Sequence, residues 1–231
     1  MADEISEAEF LRTYDRNKFP RPSTSVDAVI FSYFDGRLQV LLIQRKNHPY
    51  RGSWVFPGGF IDLYEDPKDA AKRELQEETG IAIAELFQFA VFGRPDRDPR
   101  DHIISIIYAG VLAAGEQTPQ GGDDAAKAAW YAVSRTPPLG FDHKDVLVVA
   151  LKWLRREAKA PSFATCFFGR RFTGADLVGL YRELYGRKLD GACLLARLGR
   201  VCCKRPTMSR PVRINRAKLR PFEAHLGMWW R

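Results

Sequence analysis

Apolar positions follow two different periods before residue 160. Val26-Asp27-Ala28-Val29-Ile30-Phe31 and Leu38-Gln39-Val40-Leu41-Leu42-Ile43 are short runs rich in β-branched residues. Between them, Phe34-Asp35-Gly36-Arg37 carries an Asp-Gly pair, which supplies the positive φ of a tight hairpin. The pattern predicts a hairpin entering a mixed sheet. Phe87 to Phe92, His102 to Leu112 and Ala128 to Val133 read as further strands, separated by the polar stretches Gly93 to Asp101 and Ala114 to Lys127. Two segments carry the helical period. One runs from Pro67 to Thr79, with Asp66 as N-cap, Pro67 at the first helical position and Gly80 just past the end. The other, Asp145 to Ala158, places Val146, Val149, Ala150, Trp153 and Leu154 on one face and closes a first domain, residues 1–159. Ala160-Pro161-Ser162 reads as a linker. Beyond it, residues 160–231 predict a helix at Thr173 to Tyr185, a helix at Leu189 to Leu198 and a strand at Val212 to Asn215.

Charge sharpens this division. Residues 1–160 hold 21 Lys/Arg against 24 Asp/Glu, a net of −3, whereas residues 161–231 hold 15 against 4, a net of +11. A local excess of that size suits a polyanion, nucleic acid first and the ribosome or an acidic membrane surface behind it, and a solvated basic face stays open as the plainer reading. With 45% hydrophobic and 28% charged residues in 231, the chain is neither disordered, nor collagen-like, nor a disulfide miniprotein. No apolar run approaches the roughly 18 to 20 residues of a membrane span, and the first ten residues are acidic, so a cytoplasmic protein is expected. Cys166, Cys193, Cys202 and Cys203 fit neither a disulfide framework nor zinc spacing and are read as reduced thiols.

The chemistry lies in the Pro67 to Thr79 helix. At 100° per residue Glu77 falls about −60° and Glu78 about +40° from Glu74, so three carboxylates share one stripe in the last two turns. Like charges at this spacing repel, and here they also sit at the negative end of the helix dipole. A cation is expected there. Hard divalent ions take oxygen ligands, and Mg²⁺ prefers one or two carboxylates together with waters and substrate phosphates. Pro57-Gly58-Gly59 upstream lets backbone groups approach a metal or phosphate closely. Arg45 on a strand end, and Arg94, Arg97 and Arg100 in the turn Arg94 to Arg100, are candidates for holding substrate phosphates. Glu116, Asp123 and Asp124 are candidate loop bases. Trp54 and Tyr50 are either stacking groups or core.

Gly59, Glu65, Arg73-Glu74-Leu75, Glu77-Glu78 and Gly80-Ile81 resemble the Nudix box at all nine of its specified positions over 23 residues. That resemblance implies an α/β Nudix fold, an α/β/α sandwich with a mixed sheet, and hydrolysis of a nucleoside diphosphate linked to another group. It implies Mg²⁺ or Mn²⁺ as cofactor, held by Glu74, Glu77, Glu78 and the carbonyl of Gly59. Glu65, Arg73, Glu74 and Glu77 would form the catalytic set, with Glu65 and Arg73 orienting the site.

A wider resemblance rests on Phe19 to Ser23, Phe92-Gly93, Arg97 to Arg100 and Leu139-Gly-Phe-Asp-His-Lys144. These are similar to ADP-ribose-type Nudix domains fused to a small, basic, winged-helix-like domain, a subgroup that includes transcriptional repressors of NAD metabolism. Phe172-Thr173 through Asp190 and Arg210-Pro-Val-Arg213 resemble the first helix, recognition helix and wing of that module, with Gly191 standing where the recognition helix would begin. Arg197, Arg200, Lys204, Arg205, Arg210 and Arg213 would meet DNA phosphates. Two functions follow as expectations: hydrolysis of ADP-ribose to AMP and ribose 5-phosphate, or an ADP-ribose-responsive DNA-binding regulator with little turnover. Double-stranded DNA is the partner implied by the second, and a homodimer by both. A general housecleaning hydrolase is the third possibility.

Overall fold

The computed structural model describes residues 5–15, 17–113, 115, 117–122, 124–168, 171–186 and 212–213. A short helix α1 (Glu7–Thr13), capped by Ser6 and unpredicted above, leads into the sheet. The strands are β1 (Ser23–Phe34), β2 (Arg37–Arg45), β3 (Trp54–Val55), β4 (Gly58–Phe60), β5 (Phe87–Phe92), β6 (Ile103–Val111) and β7 (Ala125–Ala132). Asp35 and Gly36 close the predicted β1–β2 hairpin at φ +52° and +69°, as its Asp-Gly sequence requires. β1 runs parallel to β6 from Ser23 beside Ile103 to Phe31 beside Val111, and β5 pairs antiparallel on the outer side of β6. β2 pairs antiparallel with β7, and β4 pairs with the first half of β1. The sheet is therefore mixed, in the order β3-β2-β1-β6-β5, with β4 on β1 and β7 on β2.

Alternation along β1 divides the core between the two faces. Val26, Ala28 and Ile30 pack with Ala70, Ala71 and Leu75 of α2 (Pro67–Thr79). Val29, Phe31 and Tyr33 pack on the other face with α3 (His143–Glu157), where Val146, Ala150, Trp153 and Leu154 are buried. Each fully buried Val, Ile, Leu or Phe among these contributes about 1.5–3 kcal/mol and each alanine less, so both helices are bound mainly through these stripes. The α2 boundaries agree with their sequence signals: Asp66 accepts from Lys68 N–H, and Gly80 ends the helix at φ +69°. α3 starts at His143, two residues before the predicted start, because its first residues are drawn into the sheet edge by polar contacts described below. β7 likewise begins at Ala125, three residues early.

Residues 161–168 and 171–186 continue the second face. A one-turn helix α4 (Pro161–Ala164) occupies the predicted linker, with Phe163 and Ala164 buried. β8 (Arg171–Phe172) pairs antiparallel with β9 (Val212–Arg213). Between them α5 (Gly174–Tyr185), opened by a Thr173/Asp176 capping box, buries Leu177, Val178, Leu180, Tyr181 and Leu184 in the same cluster as Phe31 and Trp153. The hydroxyl of Tyr181 donates to Ala158 O at 2.5 Å, Arg155 Nε to Leu184 O at 2.7 Å, and Leu38 N–H to Glu183 Oε2 at 3.3 Å. The predicted helix Leu189 to Leu198 and residues 214–215 lie outside the described residues.

Candidate active site

A cavity of about 330 Å³ opens between α2, the β3–β4 turn and the loops following β5 and β7. Glu74, Glu78 and Asp124 form one wall, Arg45 and Arg100 another, and Asp27, Arg97 and His143 the floor. The carboxylate wall follows from the local sequence. α2 turns its stripe toward the Gly58-Gly59 strand, and a side chain at Gly59 would set its Cβ 2.4 Å from Glu74 Oε1, so only glycine allows this approach. Gly58 N–H donates to Glu78 Oε2 at 2.8 Å.

Arg73 organises the outer part of the stripe. Its guanidinium holds Glu65 at two points, Nε to Oε1 and Nη2 to Oε2, each 2.8 Å, and extends Nη1 to Glu74 at 2.8 Å and to Glu77 at 3.2 Å. Those bonds hold the Glu65 carboxyl down at about 2. Burial raises the Glu74 carboxyl above its usual range despite Arg73. Burial also pushes Glu78 up to about 8, against the Gly58 hydrogen bond and with the charges of Glu74, Asp124 and Asp27 adding to the rise. Glu78 is thus an almost enclosed carboxylate with no ion pair among the described residues, sensed only from farther off by the charge of Arg45.

Among the described residues no three carboxylate, imidazole or thiol side chains already converge as a metal cage, because Glu74 and Glu77 are turned onto Arg73. The donor set nevertheless suits a hard cation. It offers carboxylate oxygens, that of the buried Glu78 with no cation in contact among the described residues, beside the close-approach backbone at Gly59.

The loop before β7 is built onto the end of α2. Gln120 N–H donates to Thr79 O at 2.9 Å and Gly122 N–H to Glu78 O at 3.1 Å, satisfying carbonyls that the helix end leaves open. This brings Asp124 into the cavity, where Asn47 donates to it at 3.0 Å. Glu116 and Asp123 lie outside the described residues.

The four candidate arginines separate. Arg45 stacks on Phe141 at 5.2 Å with Nε donating to Pro49 O, and it meets no carboxylate among the described residues. Arg100 lies over Phe60 at 5.2 Å but is paired with Asp98 through two bonds. Arg97 is buried in the floor, 4% exposed along its side chain, with Nε and Nη2 on Asp142 at 3.0 and 2.8 Å. Arg94 points away to Asp96. Tyr50 packs on Phe141 at the rim, whereas Trp54 packs on Tyr131 in the core. Of the candidate DNA contacts, Arg213 lies in β9, and Arg197, Arg200, Lys204, Arg205 and Arg210 lie outside the described residues.

The sequence gives the floor residues Asp27, Asp142 and His143 no role in the site, although Asp142 and His143 stand in the stretch similar to ADP-ribose-type Nudix domains. One signal was present: an aspartate inside the apolar run Val26 to Phe31 has to be paired when buried. Here Ser105 Oγ donates to Asp27 at 2.5 Å, and Arg97 Nη2 stands 3.8 Å away.

A model of the NUDIX domain matches residues 23–151. The chain is 34% identical to the ADPR responsive transcriptional repressor NtrR of Acinetobacter baylyi over 191 residues, covering 80% of this chain and 75% of that one. It is 36% identical to the ADP-ribose pyrophosphatase of Methanocaldococcus jannaschii over 132 residues, covering 57% and 75%. In structure it resembles Shewanella oneidensis NrtR crystallised with a 27mer DNA, with a TM-score of 0.66 and 27% identity, over 83% of this chain and 91% of that one.

Proposed function

The chain belongs to the NUDIX family, whose model spans more than half of it, and from that membership in a catalytic superfamily of pyrophosphohydrolases we propose that it hydrolyses ADP-ribose to AMP and ribose 5-phosphate. The fold is the α/β Nudix fold with a mixed sheet and a C-terminal, winged-helix-like extension, matching the structures of NrtR type. The observation that carries the enzymatic reading is the complete carboxylate wall, with Glu78 buried against Gly58 and Glu74 pressed on Gly59.

Family membership implies a divalent metal, and Glu74, Glu77, Glu78 and the Gly59 carbonyl are the groups that would hold Mg²⁺ or Mn²⁺. Such a cation, when bound, neutralises diphosphate charge and lowers the pKa of a water. The remaining work belongs to the chain. Glu65 locks Arg73, and Arg73 keeps Glu74 and Glu77 oriented from outside the cavity. Arg45, whose guanidinium makes no ion pair among the described residues, receives a diphosphate oxygen, and Arg100, already held by Asp98, lines the same cavity. Asp124 stands in the cavity as a proton acceptor for the attacking water. Water adds to one phosphorus, the bridging P–O bond breaks, and both products leave as phosphate monoesters.

The experiment is AMP release from ADP-ribose with Mg²⁺, for wild type beside Glu78→Gln, with NADH, oxidised dGTP and a dinucleoside polyphosphate in parallel. AMP from wild type alone supports this reading. Preference for another substrate moves the protein to the housecleaning class, and binding of ADP-ribose without turnover of anything sinks the enzyme.

A second reading is favoured by the net +11 of residues 161–231 and by a match to NrtR that extends past the Nudix domain. In it the C-terminal domain, residues 160–231, binds double-stranded DNA through phosphate contacts from Arg197, Arg200, Lys204, Arg205, Arg210 and Arg213, and ADP-ribose releases it. The protein is then a cytoplasmic homodimer matched to a two-fold operator. Among the described residues no helix is long and apolar enough to cross a membrane. A mobility shift on the gene's upstream DNA, with and without ADP-ribose, tests the release, and sedimentation tests the dimer.

A further inference from the structure

Two stretches whose chemistry the hydrolytic reading leaves largely unused, Arg97 to Arg100 and Leu139 to Lys144, meet beneath the cavity. Asp142, just before α3, holds Arg97, and His143 is the first residue of that helix. The imidazole is buried, its side chain 4% exposed. Its Nδ1 accepts the Phe56 N–H at 3.0 Å, and because an amide can only donate, the ring proton sits on Nε2, 3.6 Å from Asp27 Oδ1. The ring stacks on Phe56 at 5.1 Å and 15°, and packs on Phe141 at 5.5 Å and 32°.

Each of these neighbours leads to a working part of the site. Phe141 carries the Arg45 guanidinium on its face at 5.2 Å. Phe56 opens the turn in which Pro57 O accepts from Ala28 N–H at 2.8 Å, Gly58 N–H donates to Glu78, and Gly59 lies under Glu74. Phe141 also holds a left-handed backbone, φ +52°, a conformation that a bulky residue keeps only when its surroundings impose it.

We propose that His143 is a positioning residue for the hydrolytic site: by accepting the Phe56 N–H and packing against both Phe56 and Phe141, it fixes the Gly58-Gly59 turn against Glu78 and sets the spacing between the carboxylate and arginine walls. Its part is played through Phe56 and Phe141, the neighbours its ring holds. The assignment rests on reading Glu78 and Gly59 as metal-holding groups.

The test is Mn²⁺ binding to the full chain, followed through the electron paramagnetic resonance of the free ion, for wild type, His143→Asn and His143→Gln. The asparagine oxygen reaches the position of Nδ1 and restores an acceptor for Phe56, whereas the glutamine carboxamide extends toward Nε2 and leaves that N–H unpaired. Asparagine is expected to stay within about threefold of wild type and glutamine to weaken Mn²⁺ by about tenfold or more, the scale seen when groups supporting metal ligands are changed. Arg45-dependent KM for ADP-ribose should follow the same ranking. Equal affinities in all three proteins, equal losses in the two variants, or failure of both variants to fold would each overturn the proposal. Wild-type protein that binds no Mn²⁺ would overturn the metal reading and this assignment with it. Ranked Mn²⁺ affinities without AMP release would sink only the proposed activity.

Discussion

The guanidinium of Arg97 and the carboxylate of Asp142 face each other in a two-point ion pair at 3.0 and 2.8 Å, both nearly enclosed, with Asp27 a further 3.8 Å away. The pair joins the loop after β5 to the start of α3. Arg97→Met would leave two buried carboxylates without a cation, and the expected loss is about 3–5 kcal/mol, read by urea unfolding. A loss under about 1 kcal/mol would show that water replaces the cation.

The contribution of Glu78 to stability without metal should fall as pH rises. Glu78 titrates at about 8 in the fold and near the ordinary carboxylate value when unfolded, so the unfolded chain gives up this proton first. Its contribution is complete below about pH 4.5 and declines, on the order of a few kcal/mol in total, up to about pH 8. Glu78→Gln should flatten that decline, because a neutral amide has no proton to lose. Thermal melts in chelator from pH 5 to 8.5 would decide it, and parallel curves for both proteins would refute the assignment.

Two glycines of the site should fail differently when changed to alanine. At Gly59 the new Cβ meets the end of the Glu74 side chain, which can swing away, so activity is lost while the fold holds. At Gly122 it would fall 1.8 Å from the Glu77 carbonyl oxygen, which cannot move without unwinding α2. Gly122→Ala should cost roughly 1–3 kcal/mol in chemical denaturation as well as activity.

Arg45→Ala should raise KM for ADP-ribose about tenfold or more, the worth of one charge-assisted bond to phosphate, with little change in melting temperature. Arg94→Ala, whose side chain points to Asp96 outside the cavity, is the matched control and should leave KM unchanged. Equal effects at the two positions would remove Arg45 from the site.

How much of this could be read beforehand depends on whether the determinants are local. The α2 boundaries, the Asp35-Gly36 turn and the carboxylate stripe are set by residues within a few positions of one another, and each stands where its spacing placed it. The floor of the cavity is different. Asp27, Arg97, Asp142 and His143 come from a strand, a loop and a helix start, and only the parallel β1–β6 pairing and the seating of α3 bring them together. Arg97 therefore looked like its neighbours Arg94 and Arg100, although only burial separates their roles. The start of α3 is not legible in the sequence for the same reason, since His143 is held by Phe56, 87 residues away.

The sign of the charge changes near residue 160, but the apolar contacts do not stop there. α5 lies in one cluster with Phe31 and Trp153, and hydrogen bonds tie it to the ends of α3 and to the hairpin at Leu38. Heat should therefore melt α5 and the sheet together, as one cooperative unit with a single calorimetric peak. A fragment ending at residue 159 would then be a damaged protein in place of an isolated catalytic half: its uncovered sheet face would draw copies into aggregates, and any activity missing from it would say nothing about the basic tail.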